Sequence, residues 1–185
     1  MTDDRRTIEI ALVKALIDEQ FPEWSGLPIN RVEWDGWDNS TFRLGGRLKV
    51  RLPTASRYIA QVEKESRWLP LMAPHLPLMV PKPVAVGAPA HGYPWPWSVY
   101  DWIEGETSAK RRIADLNAYA AGLAGFLRAL WRIDVTGGPP AGPDNFFRGG
   151  SLAVYHDETT RAIEALAGEI DAAGAMAVWD LAMKS

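Results

Sequence analysis

Arg51 is the residue of this sequence whose type and position best fit a chemical role. It lies in a short run where apolar Leu48, Val50 and Leu52 alternate with charged residues. Such alternation is typical of a half-buried β-strand. An arginine on a central strand can donate two parallel hydrogen bonds to phosphate oxygens. Taken alone, Arg51 also fits a solvent-facing charge on a sheet.

A carboxylate on the next segment could hold this arginine in place. Residues 55–69 have a helical pattern with two candidates, Glu63 and Glu65. At about 100° per residue, Glu65 lies roughly 40° from the centre of the apolar face and Glu63 roughly 120° away. A glutamate that points inward needs a partner. We therefore expect Glu65 to point toward the sheet and pair with Arg51, although a surface position at the stripe's edge remains the alternative.

Residues 36–40 predict a loop between the first two strands. The loop contains Gly36 and the polar residues Asp38, Asn39 and Ser40, all of which favour turns. Backbone N–H groups in such a loop can surround an anion. An ordinary hairpin turn explains the same residues.

Residues 97–105 read as an apolar strand that runs into a glycine. Tyr100, Asp101 and Trp102 lie in its second half, just before the expected boundary between two lobes. At a joint between two lobes, backbone groups of such a strand can contact the edge of a nucleotide base. A buried strand with aromatic core residues is the alternative interpretation.

No residue of the sequence is predicted to be catalytic or to bind a metal. There is no cysteine, and the three histidines lack the spacing of a metal pair. His156 precedes an aspartate, but a kinase-type loop needs Asp two residues after its histidine and Asn five residues further on. Those positions hold Glu158 and Ile163.

Composition excludes two classes of partner. The net charge is −3, so nothing in the charge favours nucleic acid or an anionic membrane. No apolar run approaches the roughly 18 residues of a membrane span. The lack of cysteine fits the cytoplasm, which is the expected location.

Strands are predicted in the first half of the chain and helices in the second. The predicted helices are 7–20, 55–69 ending at Pro70, 113–133, 159–170 and 175–183; the predicted strands form a meander over 31–52 and two runs at 84–87 and 97–103. This order indicates an α+β fold in two lobes. The boundary is expected near residues 103–105.

Several motifs, in this order, resemble the aminoglycoside phosphotransferases and their small-molecule kinase relatives. They are QFPEW at 20–24, GWDNSTFRLG at 36–45, VRLP at 50–53, EKESRWLP at 63–70, YPWPWSVY at 93–100 and NFFRGG at 145–150. The resemblance implies a kinase-like N-lobe over residues 1–103, made of a twisted antiparallel sheet with one packed helix and a preceding N-terminal helix. Residues 104–185 would be the first helices of an incomplete helical C-lobe.

The resemblance also implies roles for individual residues. The loop with Asp38, Asn39 and Ser40 would cover the phosphates of ATP, or of GTP. Arg51 would be the phosphate-binding cation, a position often occupied by lysine in the family, and Glu65 would be its partner. Asp101 and Trp102 would offer backbone contacts to adenine, with Tyr100 just before them.

Members of the family continue into a segment that this sequence lacks. That segment carries His-Gly-Asp, an Asn five residues after the Asp, and later a magnesium-binding Asp. We therefore expect the chain to be part of an ATP-dependent O-phosphotransferase for a small hydroxyl-bearing acceptor, inactive as these 185 residues, with magnesium bound only if the missing half is supplied.

Two alternatives stay open. The chain can be a non-catalytic nucleotide-binding or interaction module completed by a partner chain, or a truncated product without a function of its own. Uncovered C-lobe helices would favour association, including homo-oligomers.

Overall fold

A computed structural model describes residues 6–33, 36–106, 108 and 113–184 of the chain. These residues form two compact units, Met1–Asp134 and Val135–Ser185. The first unit contains helices α1 (Ile10–Gln20), α2 (Ala60–Met72) and α3 (Leu116–Leu130), and strands β1 (Ile29–Arg31), β2 (Asn39–Leu44), β3 (Leu48–Pro53), β4 (Pro83–Gly87) and β5 (Trp97–Asp101). The second contains α4 (His156–Ala165) and α5 (Ala172–Ala182).

The five strands form one antiparallel sheet in the order β1-β2-β3-β5-β4. The turn between β2 and β3 spans residues 45–47. It uses Gly45 at φ +58, a left-handed conformation that glycine adopts without strain. In the central strand, Arg51 pairs with Thr41 of β2 on one side and with Ser98 of β5 on the other.

One face of the sheet forms the hydrophobic core. Side chains alternate along each strand, so every second residue of β2, β3 and β5 points to this face. The buried residues there pack with Val13, Leu16 and Ile17 of α1; they are Phe42, Leu44, Val50, Leu52, Trp97 and Val99. The N-terminal helix therefore covers one side of the sheet.

The opposite face, which we call the polar face, carries hydrogen-bonding and charged side chains. By alternation and register it consists of Asn39, Thr41, Arg43, Lys49, Arg51, Ser98 and Tyr100. Helix α2 lies against this face, since its Glu65 contacts Arg51 and Tyr100. The polar face is where a charged ligand could be held.

The predicted limits of α2 were wrong at both ends. A short 3-10 turn at Ser56–Tyr58 precedes the helix, which begins at Ala60. The helix also continues through Pro70 to Met72. Proline removes only its own N–H bond, and the N–H of Ala73 still donates to the carbonyl of Leu69.

The beginning of the meander also differs from the prediction. The first strand is β1, which ends at Arg31, whereas the meander was expected to begin at that residue; Trp34 and Asp35 of the expected meander lie outside the described residues. Asn39 and Ser40, expected in a loop, are the first residues of β2, opposite Pro53 and Leu52. Long-range strand pairing overrides their turn preference.

The helices of the second half are shorter or shifted relative to their predicted ranges. Side-chain caps set two of the starts: Asp115 accepts from the N–H of Ala118 before α3, and Asp171 accepts from the N–H of Gly174 before α5. In the second unit, the indole N–H of Trp179 donates to Nδ1 of His156, the first residue of α4, at 3.1 Å. The expected lobe boundary near residue 103 stays a prediction.

None of the helices within the described ranges combines the length and the apolar character that crossing a bilayer requires.

Candidate functional site

Arg51, Glu65 and Tyr100 form a hydrogen-bonded cluster on the polar face, called here the Arg51 cluster. Nη1 of Arg51 lies 2.7 Å from Oε2 of Glu65. The hydroxyl of Tyr100 donates to the same oxygen at 2.6 Å. Both members of the ion pair are about three-quarters buried, with 24% of each side chain exposed. The predicted pairing of Arg51 with Glu65 is confirmed.

Three elements position this cluster. Arg51 is on the central strand β3 and Tyr100 is on its neighbour β5, with both side chains on the polar face. Glu65 is one helical turn after Val62, which is buried where α2 meets the sheet. Glu63 is exposed on the other side of the helix, as the helical periodicity predicts.

Lys49 is a further charged residue at this site, and sequence analysis did not single it out. Its Nζ lies 5.3 Å from the centre of the Tyr100 ring, while Cζ of Arg51 lies 5.6 Å from the same centre. Burial lowers the pKa of Lys49, and the charge of Arg51 lowers it further against the opposing effect of Glu65. The sequence contains a pattern that indicates Lys49, because residues two apart on one strand, such as Lys49 and Arg51, point to the same face of the sheet.

The hydroxyl of Tyr100 is held in its neutral form. Burial, followed by the hydrogen bond to Glu65, raises the pKa of Tyr100 from 10.0 to about 12. The folded protein therefore keeps this proton at a pH where the unfolded chain releases it. Stability contributed by Tyr100 is fully present below pH 10 and declines as the pH rises from 10 to 12.

Between pH 10 and 12, we expect the free energy of unfolding to fall less in the Tyr100→Phe variant than in the wild type. The variant lacks the hydroxyl whose ionisation in the unfolded chain lowers stability in this range. Below pH 9 the same variant should be less stable by about 1 kcal/mol, since one hydrogen bond is lost. Urea unfolding followed by circular dichroism at several pH values measures both effects.

Tyr93 supplies the matched control. Its hydroxyl donates to the carbonyl of Pro53 at 2.9 Å, and burial raises its pKa as well. Tyr93→Phe should change how the free energy of unfolding varies with alkaline pH, without altering the Arg51 cluster. An unchanged profile in Tyr100→Phe, with the expected change in Tyr93→Phe, would contradict the role given to Tyr100.

A cavity of about 10 Å³ adjoins the Arg51 cluster, which is room for about one water molecule. It is lined by Asn39, Arg51, Glu65 and Tyr100, together with Gln61, Val62 and Ser98. Four of the predicted binding residues are therefore brought together. Asn39 belongs to this group even though it lies on a strand.

The other two residues of the predicted phosphate loop are placed differently. Ser40 is buried, and the alternation of β2 directs its side chain to the core face, away from Arg51. The carbonyl of Asp38 accepts from the N–H and the hydroxyl of Thr54 at 2.9 and 3.2 Å. These bonds anchor the end of the loop to the end of β3.

Asp101 and Trp102 lie at the opposite end of β3 from the loop. They line a pocket of about 780 Å³ with the β2–β3 turn and residues 76–80, a volume typical of small-molecule sites. The N–H of Asp101 donates to the carbonyl of Lys82 at 2.9 Å, and that of Trp102 to Arg47 at 2.8 Å. Both N–H groups are therefore occupied by bonds within the protein, and of the backbone groups of these two residues only the carbonyl oxygens could meet a ligand.

The charges at this end of the polar face are also paired. Arg43 makes an ion pair with Glu104, and its guanidinium lies 4.5 Å from the centre of the Trp102 ring. Across the ranges that the structure describes, no three His, Cys, Asp or Glu side chains are grouped closely enough to hold a metal ion.

Comparison with solved structures identifies the fold. The chain is similar to the GDP and kanamycin complex of APH(2″)-IIIa, with 21% identity, a TM-score of 0.66, and coverage of 82% of this chain and 50% of that one. It is also similar to the GDP complex of wild-type aminoglycoside 2′-phosphotransferase-IIIa, with 19% identity, a TM-score of 0.66, and coverage of 88% of this chain and 53% of that one. A third similar structure is ADP-bound APH(2″)-Ib, with 16% identity, a TM-score of 0.53, and coverage of 88% of this chain and 52% of that one. At these identities the likeness shows the kinase-like α+β fold. The chain spans about half the length of these structures.

Comparison with sequences is consistent with this result. Curated proteins give no significant match to the chain. The model of the phosphotransferase enzyme family matches residues 30–182, which is most of the sequence and includes the whole Arg51 cluster. The chain therefore belongs to the phosphotransferase enzyme family.

Proposed function

We propose that this chain is the nucleotide-holding part of an ATP-dependent phosphotransferase that acts on a hydroxyl group of a small molecule. The observation that carries the proposal is the Arg51–Glu65 ion pair between the central strand and α2. A carboxylate that fixes a cation on the central strand is the arrangement by which kinases hold nucleotide phosphates. GTP is the other candidate nucleotide.

The placement of the remaining residues supports this proposal. Phosphates at Arg51 would lie near Asp38 and Asn39, while a base would lie near the carbonyls of Asp101 and Trp102. Ser40 would contribute only through its backbone, because its side chain points to the core. Matched structures contain GDP or ADP, and one contains kanamycin. An amino sugar is thus one candidate acceptor, and macrolide and choline-like hydroxyls remain others.

We further propose that these 185 residues transfer no phosphate by themselves and act in the cytoplasm. The positions after His156 that would need Asp and Asn hold Glu158 and Ile163. Magnesium and the catalytic base would come from a C-terminal half of the fold. Measurable, magnesium-dependent transfer by this chain that disappears in Arg51→Ala would overturn this part of the proposal.

Calorimetric titration with ATP, GTP and ADP tests the binding function. We expect saturable binding at one site, weaker at high salt because charged groups contribute. Adenosine and guanosine should bind more weakly than their phosphorylated forms. Equal binding of nucleosides and nucleotides, or no binding at millimolar concentrations, would contradict the proposal.

A binding or interaction module completed by a partner chain is the second candidate function. Helix α3 favours it, because no residue of this helix is buried. Leu116, Tyr119, Leu123 and Leu127 recur on one side of α3 and remain 39–67% exposed. A strictly monomeric chain with little binding of hydrophobic dye would count against this function.

A further inference from the structure

We propose that Lys49 is a second anion-binding cation of this site, which together with Arg51 holds the phosphate chain of the bound nucleotide. The proposal rests on the nucleotide-binding function proposed above and adds a specificity-determining residue to it. It predicts that the site discriminates between ligands by their number of phosphate charges.

Lys49 lies on the same face of β3 as Arg51. Along β3, Lys49 is two residues from Arg51 on the side of Asp101, and both side chains are on the polar face. Two residues of a strand span about 6.6 Å, a distance that a di- or triphosphate can bridge. A nucleotide with its base near Asp101 and its phosphates near Arg51 would pass over Lys49.

Charge carries the second step. The polar face has three cations, and two of them have carboxylate partners: Arg43 pairs with Glu104 and Arg51 pairs with Glu65. Lys49 has no ion pair within the part of the chain that the structure describes. The group formed by Lys49, Arg51 and Glu65 therefore carries one net positive charge, which an anionic ligand would neutralise.

The neighbours of Lys49 supply the third step. Its register partners are Arg43 on β2 and Tyr100 on β5, and the charge of Glu65 on α2 opposes the lowering of its pKa. Burial and the Arg51 charge lower the pKa of Lys49. In the ligand-free site, Lys49 therefore loses its proton at a lower pH than a lysine in water does. A phosphate oxygen beside Nζ favours the charged form, and binding should weaken as the pH rises and Lys49 loses its proton.

The test compares Lys49→Met with the wild type by calorimetric titration of ADP, adenosine and inorganic tripolyphosphate at low ionic strength. Methionine keeps an unbranched stem over Tyr100 and removes the charge. We expect roughly tenfold weaker binding of ADP and tripolyphosphate and unchanged binding of adenosine. Lys49→Arg should bind ADP about as well as the wild type and lose the decline between neutral and alkaline pH.

Lys14→Met is the matched control, because it removes the same charge from the exposed surface of α1, which packs on the other face of the sheet. It should leave all three affinities unchanged. Circular dichroism confirms that each variant is folded before titration.

The outcomes separate this inference from the proposed function. Equal ADP affinity in the wild type and folded Lys49→Met overturns the inference alone. Equal losses for ADP and adenosine also overturn it, because they indicate a structural role for Lys49. A wild type that binds tripolyphosphate but no nucleotide leaves the anion site standing and overturns the proposed function. A wild type that binds neither overturns both.

Discussion

Replacing Arg51 with methionine is expected to weaken ADP binding by roughly ten- to a hundredfold, since charge-assisted hydrogen bonds to phosphate are worth about 1.5–3 kcal/mol each. The loss should be much smaller for adenosine, which lacks the phosphates. Arg51 can contribute this strongly to ADP binding because Glu65 already holds its side chain in place before a ligand arrives. Little side-chain ordering then remains to be done on binding. Calorimetric titration of both ligands measures the difference.

Two further variants make this experiment selective. Arg51→Lys keeps the charge and loses the bidentate donor, so its affinity for ADP should lie between those of the wild type and Arg51→Met. Arg67→Met removes an exposed arginine from the same helix that carries Glu65, and it should bind ADP normally. If Arg51→Met is folded and retains wild-type affinity for ADP, the phosphate-binding role of Arg51 is refuted.

Replacing Gly87 with alanine is expected to destabilise the first unit by about 1–3 kcal/mol or more, through overpacking. A Cβ at Gly87 would overlap the indole ring of Trp97, its register partner on β5. Trp97 is completely buried, and its Nε1 donates to the carbonyl of Ala88 at 3.1 Å. The ring cannot move aside without losing both its packing and this hydrogen bond. Urea unfolding followed by circular dichroism measures the loss.

The chain offers a control and a rescue for this prediction. Gly46→Ala should be nearly neutral, because a Cβ there meets nothing within 4 Å. In a Trp97→Phe background, the smaller ring leaves space, so adding Gly87→Ala should cost much less than in the wild type. Equal costs of Gly87→Ala in both backgrounds would show that the Trp97 contact is not the cause.

The parts of the site that could be predicted follow from local periodicity. Helical periodicity distinguished Glu65 from Glu63, and strand alternation placed Arg51 on a face opposite the core. The same alternation places Lys49 on the face of Arg51, two residues away, but alternation does not show what else surrounds its ammonium group. Its significance depends on Tyr100, which is 51 residues away and joins it through the pairing of β3 with β5.

The parts that could not be predicted depend on partners distant in the chain. Asn39 and Ser40 have the composition of a turn, and only their pairing with β3 makes them a strand. The N–H groups of Asp101 and Trp102 bond to Lys82 and Arg47, contacts that no local pattern reveals. Pro70 was expected to end α2, whereas the helix continues for two more residues.

Nuclear magnetic resonance of the isotopically labelled chain during titration with ATP tests most directly whether the nucleotide phosphates bind at the Arg51 cluster. We predict the largest shifts at the Nε–H of Arg51 and at backbone amides of β3, β5 and the end of the 36–38 loop. Residues of α1, on the opposite face of the sheet, should barely respond. No shift at millimolar ATP, or shifts confined to α1 and the core face, would contradict nucleotide binding at the Arg51 cluster.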